Sequence, residues 1–317
     1  MNDNVNARKK KKSGFTDGLK RFKHQWALQS MVIPGLIFIF IFSYIPMYGV
    51  IIAFKDYNFY SGIMGSPWVG LKHFKTFFNE PNIGLLFKNT IGISMLKTLF
   101  GFPGPIIFAL LLNELLSLRF KKFAQSVSYL PHFVSIVVVV GMVSKFCSAN
   151  GGLFNDILMG LHIIKEPVNY LSDPKYFWPI LVILHCWQGI GWGSIIYCAA
   201  ISGVDQTLYE AATIDGAKKW KQLIYITLPG IMPTIVVMFI LRIGSIMSIS
   251  ADKTILLYNP SVYETADIIS SYIYRKGLIE NNQSFSTAVG LFNSLINCIL
   301  VLSANYLSKK YTENGLF

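Results

Sequence analysis

The sequence predicts an all-α integral membrane protein with six transmembrane helices and both termini on the inner side. Hydrophobic residues make up 53% of its 317 positions and charged residues only 14%. The mean hydropathy is +0.47. A soluble domain does not carry that balance; the bilayer is this chain's solvent. Apolar stretches long enough to cross a hydrocarbon core of about 30 Å recur along the chain, separated by polar connections in which Lys and Arg are unevenly shared.

Residues 1–30 read as a basic tail with an amphipathic segment. Eight of the chain's 28 basic residues fall in its first 23 positions, so much of the net charge of +12 is concentrated there. Next to an apolar span, such a run is a topogenic anchor for an anionic inner leaflet, which points to membrane lipid as a partner and away from nucleic acid. The first span covers residues 31–54, kinked by Pro34 and Pro46. At about 24 residues, with no small-residue cleavage site after it, it is too long for a signal-peptide core and is expected to stay attached. Residues 55–86 form a soluble connection.

The second span lies within 89–116, interrupted by Gly101, Pro103, Gly104 and Pro105, and a basic turn with Arg119, Lys121 and Lys122 comes next. The third span is placed at 126–146, a polar connection at 147–175 and the fourth span at 176–202. A charged loop, 203–229, leads to the fifth span at 229–250. After a soluble stretch over 251–284, the sixth span covers 285–307. The membrane domain thus occupies 31–309, and 310–317 is a short inner tail. Lys97 and Lys145 lie toward the outer ends of these spans, where they are expected to snorkel.

With the N-terminus inside, the inner connections hold sixteen Lys and Arg residues and the longer outer ones hold nine. This bias sets the orientation and puts the 203–229 loop on the inner side. Cys147, Cys186, Cys198 and Cys298 lie in or beside apolar segments without metal-like spacing. They read as small membrane residues, with no disulfide assigned. The five histidines are scattered, and no metal site follows from them.

The 203–229 loop carries the most specific pattern. Asp205 is placed to cap a short helix, Gly216 can take the positive φ that ends it, and a second short helix leads to Pro229. Glu210, Ala211, Ala212, Gly216, Ile226, Leu228 and Pro229 fall in register with Glu-Ala-Ala, three residues, Gly, nine residues, Ile, one residue, Leu-Pro. This closely resembles the coupling (EAA) loop of permease subunits of binding-protein-dependent ABC importers.

Other stretches look like the oligosaccharide and polysaccharide branch of those permeases: Leu130-Pro131-His132-Phe133, Gly151-Gly152-Leu153-Phe154-Asn155 and the terminal segment from Ala288 to Asn297. Val69-Gly70-Leu71-Lys72-His73-Phe74 is similar to a sugar-permease segment, with His73 where that pattern has Asn.

The resemblance implies a type I importer permease fold in a bacterial cytoplasmic membrane. It implies a second homologous permease, two ATP-binding subunits, an extracytoplasmic solute-binding protein or lipoprotein, and an oligosaccharide cargo. ATP and Mg would be used by the ATPase partners; the chain has no Gly-x-x-x-x-Gly-Lys-Ser/Thr loop of its own and is expected to bind no cofactor and to have no catalytic residues. By the same resemblance, Glu210 makes polar contact in an ATPase cleft, Ala211 and Ala212 permit close approach, and Gly216 sets the turn.

Residues on the translocation pathway are read from chemistry. Arg242 lies about thirteen residues into the fifth span, where an ionisable group faces a partner or a wet cavity; it either binds a substrate hydroxyl or carboxylate, or makes a structural bond or a contact with the second permease. Asn293 and Asn297 share one helix face and either line a sugar path or bond between helices. Trp187, Gln188 and Trp192 combine flat apolar faces with an amide suited to sugar rings, although such aromatics also serve packing and the membrane interface.

An ATP-independent secondary carrier or channel is the alternative that Arg242 invites. It leaves the loop pattern unexplained, and no pair of broken repeat helices supports it. An intramembrane enzyme lacks a nucleophile elbow, a metalloprotease signature and a carboxylate pair within the spans.

Overall fold

The computed structural model describes residues 26–248, 251–312 and 315–316. The basic tail and nearly all of its amphipathic segment lie outside them. The chain divides into two units, Met1–Ile51 and Ile52–Phe317.

In the first unit, α1 (Trp26–Ile39) passes into a π-turn at Phe40–Tyr44. Pro34 sits inside α1 and Pro46 opens the next turn, where a missing N–H is tolerated. The helical run Leu28–Phe54 is apolar enough to span a membrane.

The second unit is built around five further long apolar segments, one of them bent. Helices α2 (Ile83–Gly101) and α3 (Pro103–Asn113) succeed one another through Phe102, whose backbone stays helical. Together they form the 31-residue span Ile83–Asn113. Pro103 stands at the first position of α3, where its fixed φ fits, so the Gly and Pro cluster joins the helices without ending the span.

The expected third span is not straight. Helices α4 (Leu118–Phe133) and α5 (Ile136–Phe146) are bent by 94° at Val134 and Ser135, both extended. Arg119, Lys121 and Lys122 belong to α4 and not to a turn.

Helix α6 (Pro174–Ser202) is the centre of this unit and packs against α2, α3, α4 and α9 (Leu228–Gly244). Its contact with α4 depends on Gly191: a Cβ there would collide with the Ser128 carbonyl. Close backbone approach at small residues is how helices associate where lipid gives no hydrophobic drive. Between α6 and α9 stand α7 (Gln206–Ile214) and α8 (Lys219–Gln222); α10 (Gln283–Thr312) closes the fold.

Helix α8 is not a separate piece. It runs through a π-turn at Leu223–Thr227 into α9, giving one span Lys219–Gly244. The fifth span therefore starts earlier than its hydropathy predicts and ends earlier too, so Arg242 lies in its last turn.

Three apolar clusters hold the unit together. Ile93, Val139, Phe177 and Leu181 pack with Leu257 and Val262 from the 251–284 connection. Phe77, Leu86, Ile269 and Phe285 form a second cluster, and Ala109, Tyr197, Ile201 and Ile231 a third. The connections are therefore folded parts of the core. The resemblance segments are structural within them: Asn155 is fully buried, donates to the Ser148 and Val168 carbonyls and accepts from the Val168 amide. His73 is buried with Nε2 3.1 Å from the Lys55 carbonyl. Among the described residues there is no strand ladder beyond an isolated bridge between Lys55 and Trp68.

Candidate functional site

The 203–229 loop is a largely exposed knob held by its own hydrogen bonds. Asp205 accepts from the Thr207 amide at 2.9 Å and caps α7; that hydrogen bond holds its carboxyl below the usual range. At the other end the Ala217 amide donates to Ala212 (2.8 Å) and the Gly216 amide to Thr213 (3.0 Å). This pair is a Schellman closure, and it places Gly216 at φ +76°. Any side chain is strained at that φ.

The segment beyond Gly216 is tied back firmly. The Gln222 side chain donates to Thr213 Oγ1 and to the Ala217 carbonyl. The Tyr209 hydroxyl lies 2.9 Å from that of Thr227, at the foot of α9. Lys219 reaches Glu114, beyond α3, at 2.9 Å. α7 is thus tied by two side-chain clamps to α8 and the foot of α9, which form one continuous helix.

Outward, Glu210 and Ala211 are exposed and Ala212 is half-buried. Ile214 and Trp220 are 86% and 75% exposed, an unusual show of apolar surface on a charged loop. Ile226 and Leu228 turn partly inward, while Pro229 opens α9. Glu210, Ala211, Ala212 and Gly216 therefore form the presented edge, whereas Ile226, Leu228 and Pro229 build its root.

The pathway candidates do not converge. Arg242 lies on a cleft of about 320 Å³ with His185, Gly101, Gly189, Gly193 and Tyr197. Its Nη2 donates to the Lys97 carbonyl (3.1 Å) and approaches His185 Nε2 at 2.8 Å, and Nε points at Thr98 Oγ1. A guanidinium only donates, so His185 Nε2 accepts and the ring proton sits on Nδ1. Arg242 thus bridges α9 to α2 and α6.

Asn293 and Asn297 both turn to the Ile246–Ser248 turn after α9: Asn297 accepts from the Met247 amide and donates to Ser248 Oγ at 2.9 Å, and Asn293 donates to Met247 O at 3.4 Å. Gln188 is buried and donates to the Pro131 and Val134 carbonyls across the bend between α4 and α5. Trp192 stacks on His132 at 4.5 Å, and Trp187 borders an apolar hollow with Phe146 and Phe154. None of these five shares the cleft with Arg242; the face of α6 that does carries His185, Gly189, Gly193 and Tyr197.

Lys97 corrects an expectation. It has no exposure and its Nζ has no hydrogen-bond partner, so it does not snorkel. The second span begins at Ile83, six residues before its predicted start, which moves Lys97 from near an end to the middle of Ile83–Asn113.

Residues 101–313 match a family described as the binding-protein-dependent transport system inner membrane component. The chain belongs to this family. It is a multi-pass membrane permease of a binding-protein-dependent importer, and not an enzyme. It is 44% identical to Protein LplB of Bacillus subtilis (strain 168), over 94% of this chain and 92% of that protein. It is 43% identical to the polygalacturonan/rhamnogalacturonan transport system permease protein YteP of the same organism, over 92% and 90% of the two chains. A crystal structure of a bacterial ABC transporter that imports the acidic polysaccharide alginate contains a chain 41% identical, with a TM-score of 0.84, covering 93% of this chain and 99% of its own. A second structure of the alginate transporter, complexed with a periplasmic protein carrying an alginate pentasaccharide, fits equally well (TM-score 0.84).

Within this permease, sequence reasoning misplaced Lys97 and passed over His185, Tyr209 and Thr227 as site residues. His185, Gly189 and Gly193 recur every fourth residue on one face of α6, a signal that was readable. The Tyr209 to Thr227 bond had none, because it depends on how α7 folds back.

Proposed function

We propose that the chain is one of two permease subunits of an ATP-driven oligosaccharide importer in a bacterial cytoplasmic membrane. It crosses six times with both termini in the cytoplasm, the bent α4–α5 pair counting as one crossing. A second, homologous permease completes the pathway. Two ATPase copies bind ATP and Mg, and an extracytoplasmic solute-binding protein delivers the cargo; the alginate transporter complexed with its loaded periplasmic protein supports that arrangement. The positive-inside bias supports the orientation.

The observation that carries the mechanism is the exposed edge Glu210, Ala211, Ala212 and Gly216 on a knob clamped to α9. Closure of the ATPase dimer pushes this edge, α9 swings with it through Tyr209, Thr227 and the unbroken α8–α9 helix, and the pathway opens outward. Reopening after hydrolysis releases the sugar inside. Arg242, Asn293, Asn297, Trp187, Gln188 and Trp192 remain the pathway candidates. Arg242 is the one on a cleft; Asn293, Asn297 and Gln188 are engaged between helical segments.

Labelled-oligosaccharide uptake in the native host tests this. Removal of the chain should abolish uptake, and the wild-type chain, but not Gly216→Pro, should restore it. Unchanged uptake without the chain for every oligosaccharide tried would refute the proposal.

A further inference from the structure

The connection over residues 55–71 is polar within and apolar without. Lys55 is buried, and its ammonium donates to the Ile63 and Met64 carbonyls at 2.7 and 3.0 Å. Ser66 is buried too: its hydroxyl accepts from the Asn58 amide and donates to the Gly62 carbonyl. His73 closes the same interior against the Lys55 carbonyl. Outward stand Phe59, Tyr60 and Met64, at 79%, 95% and 78% exposure, together with Trp68 and Leu71. A connection bathed in water has the reverse pattern, with its charged and hydroxyl groups out and its large apolar side chains in.

Two contacts set the height of this loop. The first apolar run ends at Phe54, whose carbonyl accepts from the Val69 and Gly70 amides and whose ring stacks on that of Trp68 at 5.9 Å. The Tyr57 amide donates to Ser284 Oγ in the first turn of α10, where the last span begins. The loop therefore sits at the level where two spans end. Trp and Tyr concentrate at that depth in membrane proteins, because the ring bodies are apolar while the N–H and O–H groups still reach water or headgroups. Asp56 and Lys72 flank the loop at its two ends in an exposed ion pair at 3.1 Å.

We propose that this surface is embedded in the outer-leaflet interface, with lipid as its occupant: Phe59, Tyr60 and Met64 enter the acyl boundary, and Trp68 lies at headgroup depth. The inference rests on the orientation given under the proposed function and adds a lipid-binding element to the outer side. Continuity with the end of the first span favours lipid over a protein partner, since the chain leaves the bilayer at Phe54 and Trp68 is held against that residue. Through Tyr57 and Ser284 the same anchor pins the outer ends of the first and last spans at one depth.

The test uses the assembled transporter in nanodiscs of phosphatidylethanolamine and phosphatidylglycerol, with acyl chains brominated either near the carbonyl or near the chain end. The emission of Trp68 is read as the difference between the wild type and Trp68→Phe, which keeps a ring against Phe54. It should lose about half of its intensity or more to bromine near the carbonyl, less to bromine near the chain end and little to aqueous acrylamide, as for an indole at the interface. Tyr60→Trp in the otherwise unchanged chain reads the most exposed position in the same way and should be quenched by bromine at both depths; it carries the test if Trp68→Phe fails to assemble. Strong acrylamide quenching at both positions, with none from bromolipid, would overturn the proposal. So would acrylamide quenching that the loaded solute-binding protein removes, which would make this face its dock. Resistance to both quenchers would give the face to the second permease and would overturn it too. Lys75→Cys, at an exposed position, separates the two levels. Labelling of intact cells by an impermeant maleimide, above that of the wild-type chain, upholds the orientation, so that failed bromolipid quenching then sinks this inference alone; labelling only after lysis sinks the orientation with it.

Discussion

The Tyr209 hydroxyl lies 2.9 Å from the Thr227 hydroxyl, joining the residue beside Glu210 to the root of the span that carries Arg242. This is one of the ties between the exposed edge of the loop and the membrane helix, and it is made by two groups whose removal leaves each helix intact. A neutral hydrogen bond of this kind contributes about 1 kcal/mol. Tyr209→Phe and Thr227→Val should each lower uptake several-fold while ATP hydrolysis by the assembled transporter persists. The double variant should be no worse than either single one; additive losses would show that the two hydroxyls act separately.

Gly216 stands at φ +76°, and proline is fixed near −65°. Gly216→Pro should leave the chain inserted, by quantitative membrane immunoblot, yet eliminate uptake. Glu210→Ala should do the same through loss of contact and without backbone strain. Normal uptake by an inserted Gly216→Pro chain would remove the coupling mechanism.

Lys219 and Glu114 form an ion pair with both side chains substantially exposed. Such pairs contribute about 0–1 kcal/mol. Lys219→Ala should therefore shift the thermal midpoint of the purified permease by no more than a degree or two, although it sits beside the loop. A large shift would mean that this contact, and not Tyr209, is the main clamp.

Asp267 and Arg275 are paired at 2.5 Å with both side chains mostly buried, and the Asn89 amide donates to the Asp267 carbonyl. Removing one partner of a buried pair leaves a charge uncompensated, at about 3–5 kcal/mol. Asp267→Ala should lower the midpoint far more than Lys219→Ala in the same assay. Equal small shifts would mean that the 251–284 connection is wetter than its burial implies.

The hydropathy of the long helices was legible, because a run of apolar residues has few other uses in a lipid solvent. So was the loop: Asp205 and Gly216 act through local backbone chemistry that sequence encodes directly. The span limits were not. Lys219 to Gln222 is polar, yet it continues α9 without a break, since polar side chains do not stop a helix whose backbone bonds go on. That shift takes Arg242 out of mid-helix, as the early start of α2 takes Lys97 into it, and together they bring the two cations into one place.

The bend at Val134 and Ser135 was invisible because Pro131, the obvious breaker, lies inside α4 while the true break comes after it. The internal order of the connections was also out of sight: the buried side chains of Asn155 and His73 bond backbone, and that of Asp267 accepts from Ser271 and Arg275.

The most direct test is gentle-detergent purification of the tagged chain from its native host, with identification of the proteins that accompany it and an ATPase assay, repeated with Glu210 and Gly216 substituted. The account predicts a complex with a second permease and an ATP-hydrolysing subunit, weakened by both substitutions. A stable homo-oligomer without ATPase activity, indifferent to them, would contradict it.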